Sequence, residues 1–425
     1  MGAADDHGNP LSTDASTAAT WRQFCLRFQR QRSGADESLR RVLAADPDFG
    51  VGRAMAAVLG GSLGDPGFDG AAELDAARAG AAEHSWERSF IDAATAAVDR
   101  GALWGSVDRW FTHHDVCPSD VNGLILAVIG AVTSFDESRR DQVAARIEHT
   151  HAEVGDDPVV LGFRGMGAQE RGDLAAAEQF ATRALEMDPT GSDGAHPMAH
   201  VYFERGDHAA GAAWLDAWLP TTDPDADFTT HLLWHAAWHH LALGDIDHVL
   251  ATFVDRLCSA GPRSLPDRVS MLWRLQLHGV VDPGDDPSTS ALDEVVRDRL
   301  DAIPLAFAGA HVALALAASG DVDSLRELAE TAAASDAPGA TTLVGPIAIA
   351  LAERIDGKFS LAADRLLAVE HDLRNLGGSH AQREVFEDTL VDTLIQAGRT
   401  EDAARRLQER LERRPSRLDE HWTTR

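Results

Sequence analysis

The stretch "VVLGFRGMGAQERGDLAAAEQFATRALEMDP", residues 159–189, decides the fold. Its first half is small and apolar and predicts a helix ending at Gly172, a residue able to take the left-handed conformation of a helix C-terminus. Asp173 follows, a side chain suited to N-capping the next helix. The second half places Ala175, Ala176, Phe180, Ala184 and Leu185 on one face at helical spacing, and Pro189 stops it. The unit is a helix, a tight Gly-Asp turn and a second, antiparallel helix.

The same turn recurs. Glycines of this kind stand at 64, 101, 172, 206, 244, 320, 357 and 398, most of them followed by Asp. Successive gaps are 37, 71, 34, 38, 76, 37 and 41 residues. The two long gaps are about double the others. A degenerate turn in "SFDESRR" (134–140) and another in "VVDPGDDPSTS" (280–290) would fill them. A period of this length predicts stacked helical hairpins, each burying its apolar face against the next. "VEHDLRNLGGSHAQREVFEDTLVDTLIQAGRTEDAARRLQERLERRP" (369–415) fits the same plan, and no segment reads as a strand. The expected architecture is an all-α solenoid of about ten to eleven hairpins over residues 15–415. Residues 1–14 and 416–425 read as loose tails. The first helix of each hairpin is expected to line a concave side.

Composition narrows the partners. The 425 residues carry 68 acids against 38 bases, a net charge of -30, and Lys358 is the single lysine. Such a surface repels phosphate backbones and anionic membranes and attracts cations or basic peptides, although a general solubility or salt adaptation explains it equally. No run of about 18 apolar residues is present, and the polar, acidic N-terminus has no secretory pattern, so a cytoplasmic location is the expectation. Cys25, Cys117 and Cys258 are scattered with no CxxC, which predicts buried thiols rather than disulfides or a zinc knuckle. Cys117 beside His113 and His114 reads as a helix end and turn. No phosphate-binding loop and no GxSxG elbow occurs.

The histidines hold the functional signal. "HLLWHAAWHH" (231–240) has four histidines and two tryptophans in ten positions. Counted back from the turn glycines, His196 is ten residues before Gly206 and His200 six, His235 is nine before Gly244, and His311 is nine before Gly320. Stacked hairpins would bring such positions side by side. His231 and His235 are i and i+4 and could chelate a metal. His196 precedes Pro197, and pre-proline residues avoid the helical region, which places His196 at a helix start. His239 continues the His231–His235 stripe, whereas His240 is expected to face solvent. Trp234 and Trp238 read as packing residues or as pocket walls. In "GGSHAQRE" (377–384), Ser379 and Gln382 form a capping box. That leaves His380 and Arg383 in a first turn, where an anion would be favoured; the alternative is pairing of Arg383 to a local acid such as Glu384, which reads equally as a solvated charge.

"LGGSHAQREVFEDTL", "HPMAHVYFERGD" and "HLLWHAAWHHLALGD" together resemble signatures of the tetratricopeptide repeat protein 38 family, over residues of about 40 to 415. The resemblance implies a tetratricopeptide-like superhelix and a cytoplasmic protein, and no defined reaction. Two departures stand out: Pro197 between the histidines of "HPMAH", and Phe203 where the family places an acid, with Glu204 following.

The expected function is that of a helical-repeat binding protein. Its groove, lined by His196, His200, His231, Trp234, His235, His311, Ser379, His380 and Arg383, would take a peptide, a protein tail or a small polar or anionic ligand. The alternative is an enzyme in which His200, His235, His311 and His380 surround a pocket for acid/base or metal-assisted chemistry. A divalent metal such as zinc would be held by His231 and His235. Each histidine alone also reads as a packed core residue. Nucleic acid and membrane are not expected partners.

Overall fold

A computed structural model describes residues 3–60, 69–80, 85–100, 103–258, 264–282 and 306–424. Among them are 22 α-helices and no strand, joined as antiparallel hairpins in a tetratricopeptide-like, solenoid arrangement. The repeating Gly-Asp turn explains the pattern chemically. Gly172, Gly206, Gly244, Gly320, Gly357 and Gly398 all have φ between +66° and +80°. At Gly206 the turn is closed by Gly206 N–H to Phe203 O and Asp207 N–H to Tyr202 O, both 3.0 Å, and the same pair of bonds recurs at Gly244, Gly320, Gly357 and Gly398. The next residue then starts the second helix. Asp173, Asp207, Asp245 and Asp321 accept from the backbone N–H groups of Ala176, Ala210, His248 and Ser324 at 3.0–3.3 Å.

The degenerate turns follow the same geometry. Phe135, with φ +59°, replaces the glycine in "SFDESRR", and Asp136 caps the helix Glu137–Val154 through Ser138 N–H. In the other long gap the left-handed residue is Gly279, just before the stretch expected to turn. From Phe135 the turns run 135, 172, 206, 244, 279, 320, 357, 398, steps of 34 to 41 residues. The turns expected at Gly64 and Gly101, and most of 280–290, lie outside the described residues.

The chain divides into two compact units. One comprises Met1–Ala168 with Gln179–Gly194, the other Gln169–Glu178 with Ala195–Arg425. The first unit has a core in which Trp21, Phe24, Phe49, Phe90 and Trp110 are fully buried. The second buries Trp234, Phe203, Phe253 and Phe386 in the same way.

Among the described residues, the segments near both ends of the chain make packing contacts. In the first unit Trp86 Nε1 donates to Pro10 O, Glu87 accepts from Ser12 N–H, each at 2.8 Å, and Ser119 donates to Asn9. In the second, Arg417–Trp422 is a short helix. Trp422 is 2% exposed and stacks on His278, and Asp419 pairs with Arg410. Most of these partners lie far away in sequence, such as Ser12 and Glu87 or His278 and Trp422.

The capping box at Ser379 is present. Ser379 N–H donates to Gln382 Oε1 at 3.1 Å and Gln382 N–H donates to Ser379 Oγ at 3.3 Å. Ser379→Ala removes one of these bonds, and the expected cost is about 1 kcal/mol, read from the urea midpoint. No loss at all would mean that the first turn is satisfied without the cap.

Glu384 is not a solvated charge. It is completely buried and begins a stripe with Asp388 and Asp392 along the helix His380–Gln396. Each member meets arginine. Glu384 pairs with Arg414 and with Arg410 (3.2 Å), Asp388 with Arg274 and Arg410 (both 2.8 Å), and Asp392 with Arg354. Burial alone would raise the Glu384 carboxyl, but Arg414 and Arg410 hold it well below the usual carboxylate range. This helix has polar groups on a face that the repeat buries, which is why it reads as exposed from local pattern alone.

Candidate metal centre

Three successive first helices build the site: Ser192–Arg205, Asp227–Ala242 and Leu265–Leu277. His196 and His200 come from the first, His231 and His235 from the second. Contrary to the pre-proline expectation, His196 lies inside its helix, with Pro197 in the interior. Burial of Ala195, Ala199, Val201 and Phe203 on that helix outweighs the local preference. His196 and His200 are therefore a true i,i+4 pair.

Three contacts link the four Nε2 atoms in a chain. His200 Nε2 is 3.0 Å from His196 Nε2, His231 Nε2 is 3.1 Å from His196 Nε2, and His235 Nε2 is 3.2 Å from His231 Nε2. One ligand atom from each residue lies within 4.8 Å of those of the other three. His200, His231 and His235 are buried and His196 is half-buried. Around them, Trp234 stacks parallel to His231 at 5.5 Å and lies edge-on to His235 at 4.8 Å. Its Nε1 donates to Ser270 Oγ. Burial, and then the neighbouring imidazoles, push the pKa values of His196, His200 and His235 well below the ordinary histidine value, so these rings stay neutral with a lone pair free.

Asp267 is the acid that sequence reasoning missed. Its carboxylate oxygens lie 3.0 and 3.1 Å from His231 Nδ1. The signal was available in the repeat: His196, His231 and Asp267 are 35 and 36 residues apart, one period each. Trp234 and Ser270 keep the same 36-residue offset.

Protons alone do not satisfy this geometry. The Asp267 carboxylate accepts a hydrogen bond from His231 Nδ1–H, which leaves His231 Nε2 as a lone pair. His196 Nε2 must then donate to it and has nothing left for His200 Nε2 except a share of the same proton. Yet if His200 carries its proton on Nδ1, that completely buried atom has no partner. A divalent ion removes the competition among the Nε2 atoms, because all four Nε2 lone pairs then face one centre; the His200 Nδ1–H lacks a protein partner among the described residues in either case. Metal–imidazole bonds of about 2.0–2.1 Å in a tetrahedron place the nitrogens about 3.3 Å apart, close to the 3.0–3.2 Å contacts seen here.

The other expected site residues lie elsewhere. His311 does not join the quartet, because the helix Leu265–Leu277 occupies the intervening repeat. Its Nδ1 lies 2.8 Å from Phe307 O, and its ring packs on Phe307 and Phe386. His380 Nδ1 is 2.9 Å from Glu204 Oε1, so the displaced acid after Phe203 has a partner after all. Arg383 donates to Gly378 O and approaches Glu170 at 3.6 Å, not Glu384. His239 pairs with His208, Nδ1 to Nδ1 at 3.1 Å. His240 is buried rather than solvent-facing: it contacts Asp216 at 3.0 Å and stacks on His248 at 3.6 Å. Trp238 packs edge-on to Phe203 at 4.5 Å. The Cys117 thiol sits 3.4 Å from Asn9 Oδ1, and burial pushes it up to about 12, while His113 and His114 engage Asp120 and Thr150.

Two of these buried histidines give a pH prediction. Burial, with Arg146 and His149 nearby, lowers His114 to about 4; Asp115 opposes this, and Thr150 contacts the ring. Burial also lowers His311 to about 4, against the opposing influence of the Phe307 carbonyl and Asp267, with Arg274 adding to the depression. Both groups titrate near 6.5 when unfolded. Their stability contribution is therefore intact above pH 6.5 and is lost as pH falls toward 4, by at most roughly 1.4 kcal/mol per pH unit for each, and less at His114, where solvent screens the charge. Urea melts of metal-free protein at pH 7 and pH 5 should show this loss, and His114→Gln with His311→Gln should reduce it, the remainder coming from the other depressed histidines such as His208 and His239. An unchanged slope in the double variant would assign the loss to other groups.

No family model matches the sequence. A solved structure described as "Structure of Naa15/Naa10 bound to HypK-THB" is similar over 95% of this chain at 12% identity, with a TM-score of 0.24; the chain spans 64% of that chain's length. At that overlap the fold rests on the helices themselves. Among the described residues, no helix is long and apolar enough to cross a membrane.

Proposed function

We propose that this chain is a helical-repeat binding protein whose ligand is a divalent transition metal, held by His196, His200, His231 and His235. The observation that carries the reading is the chain of three Nε2–Nε2 contacts of 3.0–3.2 Å that links the four histidines, their ligand atoms all within 4.8 Å of one another, with Asp267 behind His231. An all-imidazole donor set suits zinc and its N-preferring neighbours better than magnesium or calcium, which take oxygen ligands. The carboxylate on the far nitrogen of His231 is the outer-sphere partner that fixes tautomer and ring orientation in such sites. The acidic surface, at net charge -30, favours the approach of cations.

The wider reading, a peptide, protein tail or small polar ligand, is supported separately. A pocket of about 290 Å³ is lined by Asp207, His208, Ser416, Arg417 and Glu420 among others, none of them quartet members. Membership of the tetratricopeptide repeat protein 38 family, and a cytoplasmic location, are part of the same proposal.

Calorimetric titration of chelator-treated protein with zinc tests the metal reading. One equivalent should bind, and magnesium and calcium should not compete. Binding of several weak equivalents, displaced by calcium, would indicate adsorption to the acidic surface and overturn it.

A further inference from the structure

The four histidines are not equivalent. His200, His231 and His235 are buried, and His196 is the half-buried member. His231 is fixed by Asp267 and by the parallel Trp234 ring, and His235 is wedged between Trp234 and His200, at 4.8 and 4.6 Å. Among the described residues neither His196 nor His200 has a comparable anchor outside the quartet, and of these two His200 is completely buried whereas His196 is half-buried. Its outer neighbour is Phe228, edge-on at 4.9 Å and itself half-buried, which leaves the ring bordered by an apolar, partly exposed side chain. The next residue, Pro197, contributes no backbone N–H to the helix there.

From this asymmetry we propose that the centre is a three-histidine metal site with one exchangeable position: His200, His231 and His235 grip the ion, and the place of His196 is taken in exchange by water or a small inorganic anion. The proposal rests on the metal reading above and goes beyond it. A closed four-ligand site stores or braces; a site with one exchangeable position presents the ion to a ligand from solvent. Charge favours an anion there. Three neutral imidazoles leave a divalent ion's charge intact, and Asp267 offsets only one unit of it. The ligand class is thus a monodentate anion such as azide or thiocyanate, or hydroxide derived from bound water.

Cobalt(II) serves as the probe, because its visible absorption reports tetrahedral imidazole coordination. The full chain should take up one equivalent, and azide should shift the absorption in a saturable titration. His196→Ala should still hold one equivalent, with an altered spectrum, and free imidazole should restore the wild-type spectrum by filling the vacated position. His235→Ala should lose the ion, and free imidazole should not restore it. Far-UV circular dichroism of each variant separates ligand loss from unfolding. Two results overturn the proposal while leaving the metal reading intact: cobalt bound with no response to azide, or loss of the ion in His196→Ala as complete as in His235→Ala. Failure of the wild type to bind either cobalt or zinc overturns both.

Discussion

His231→Ala is expected to abolish stoichiometric zinc binding, and Asp267→Asn to weaken it about 10- to 100-fold without abolishing it. His231 is the hub of the quartet on its own helix, with Nε2 contacts to both His196 and His235. Removing the ring takes away one ligand and the only quartet member that Asp267 orients. Asp267→Asn keeps the size of the side chain but removes the charge that holds His231 Nδ1–H, so the lone pair at Nε2 becomes less basic and less well aimed. The stability readout should follow. Zinc at about 1,000 times its dissociation constant stabilises the folded state by about 4 kcal/mol, an increment that His231→Ala should erase. If Asp267→Asn binds zinc as tightly as the wild type, Asp267 is only a core hydrogen-bond partner of a histidine.

The second large effect is structural. Glu384→Gln should destabilise the protein by about 3 to 5 kcal/mol in urea melts, because it leaves the buried Arg410 and Arg414 facing a neutral amide. Glu387, on the same helix, is one-third exposed and only loosely paired, with Arg413 at 3.8 Å and His380 at 3.9 Å. Glu387→Gln should therefore cost less than about 1 kcal/mol. Similar losses in the two variants would mean that the buried stripe of Glu384, Asp388 and Asp392 contributes no more than a surface pair.

The parts legible in the sequence are those determined locally. A Gly-Asp turn needs only its own residues: the glycine takes a positive φ, the aspartate caps, and so the hairpin period can be counted from one-dimensional spacing. The same holds for the Ser379 capping box. What the sequence hides is whatever depends on a neighbouring repeat. Asp267 lies one period beyond His231 but looks like an ordinary first-turn acid in "SLPDRV". Glu384 looks solvated until the arginines of the final hairpin close over it. His311 shares the register of His235 but lies two repeats away, so register alone does not bring them together. At His196 a local rule pointed the wrong way, since packing of the helix around Pro197 overrode the pre-proline preference.

The central claim is that the histidine cluster holds one ion, and anomalous diffraction at the zinc edge tests it most directly, on crystals of the full chain grown with zinc. The account predicts one strong peak about 2.0–2.1 Å from Nε2 of His200, His231 and His235, with His196 Nε2 or a solvent ligand completing the tetrahedron and Asp267 on His231 Nδ1. No peak among these four rings, with zinc found only on surface carboxylates, would contradict it.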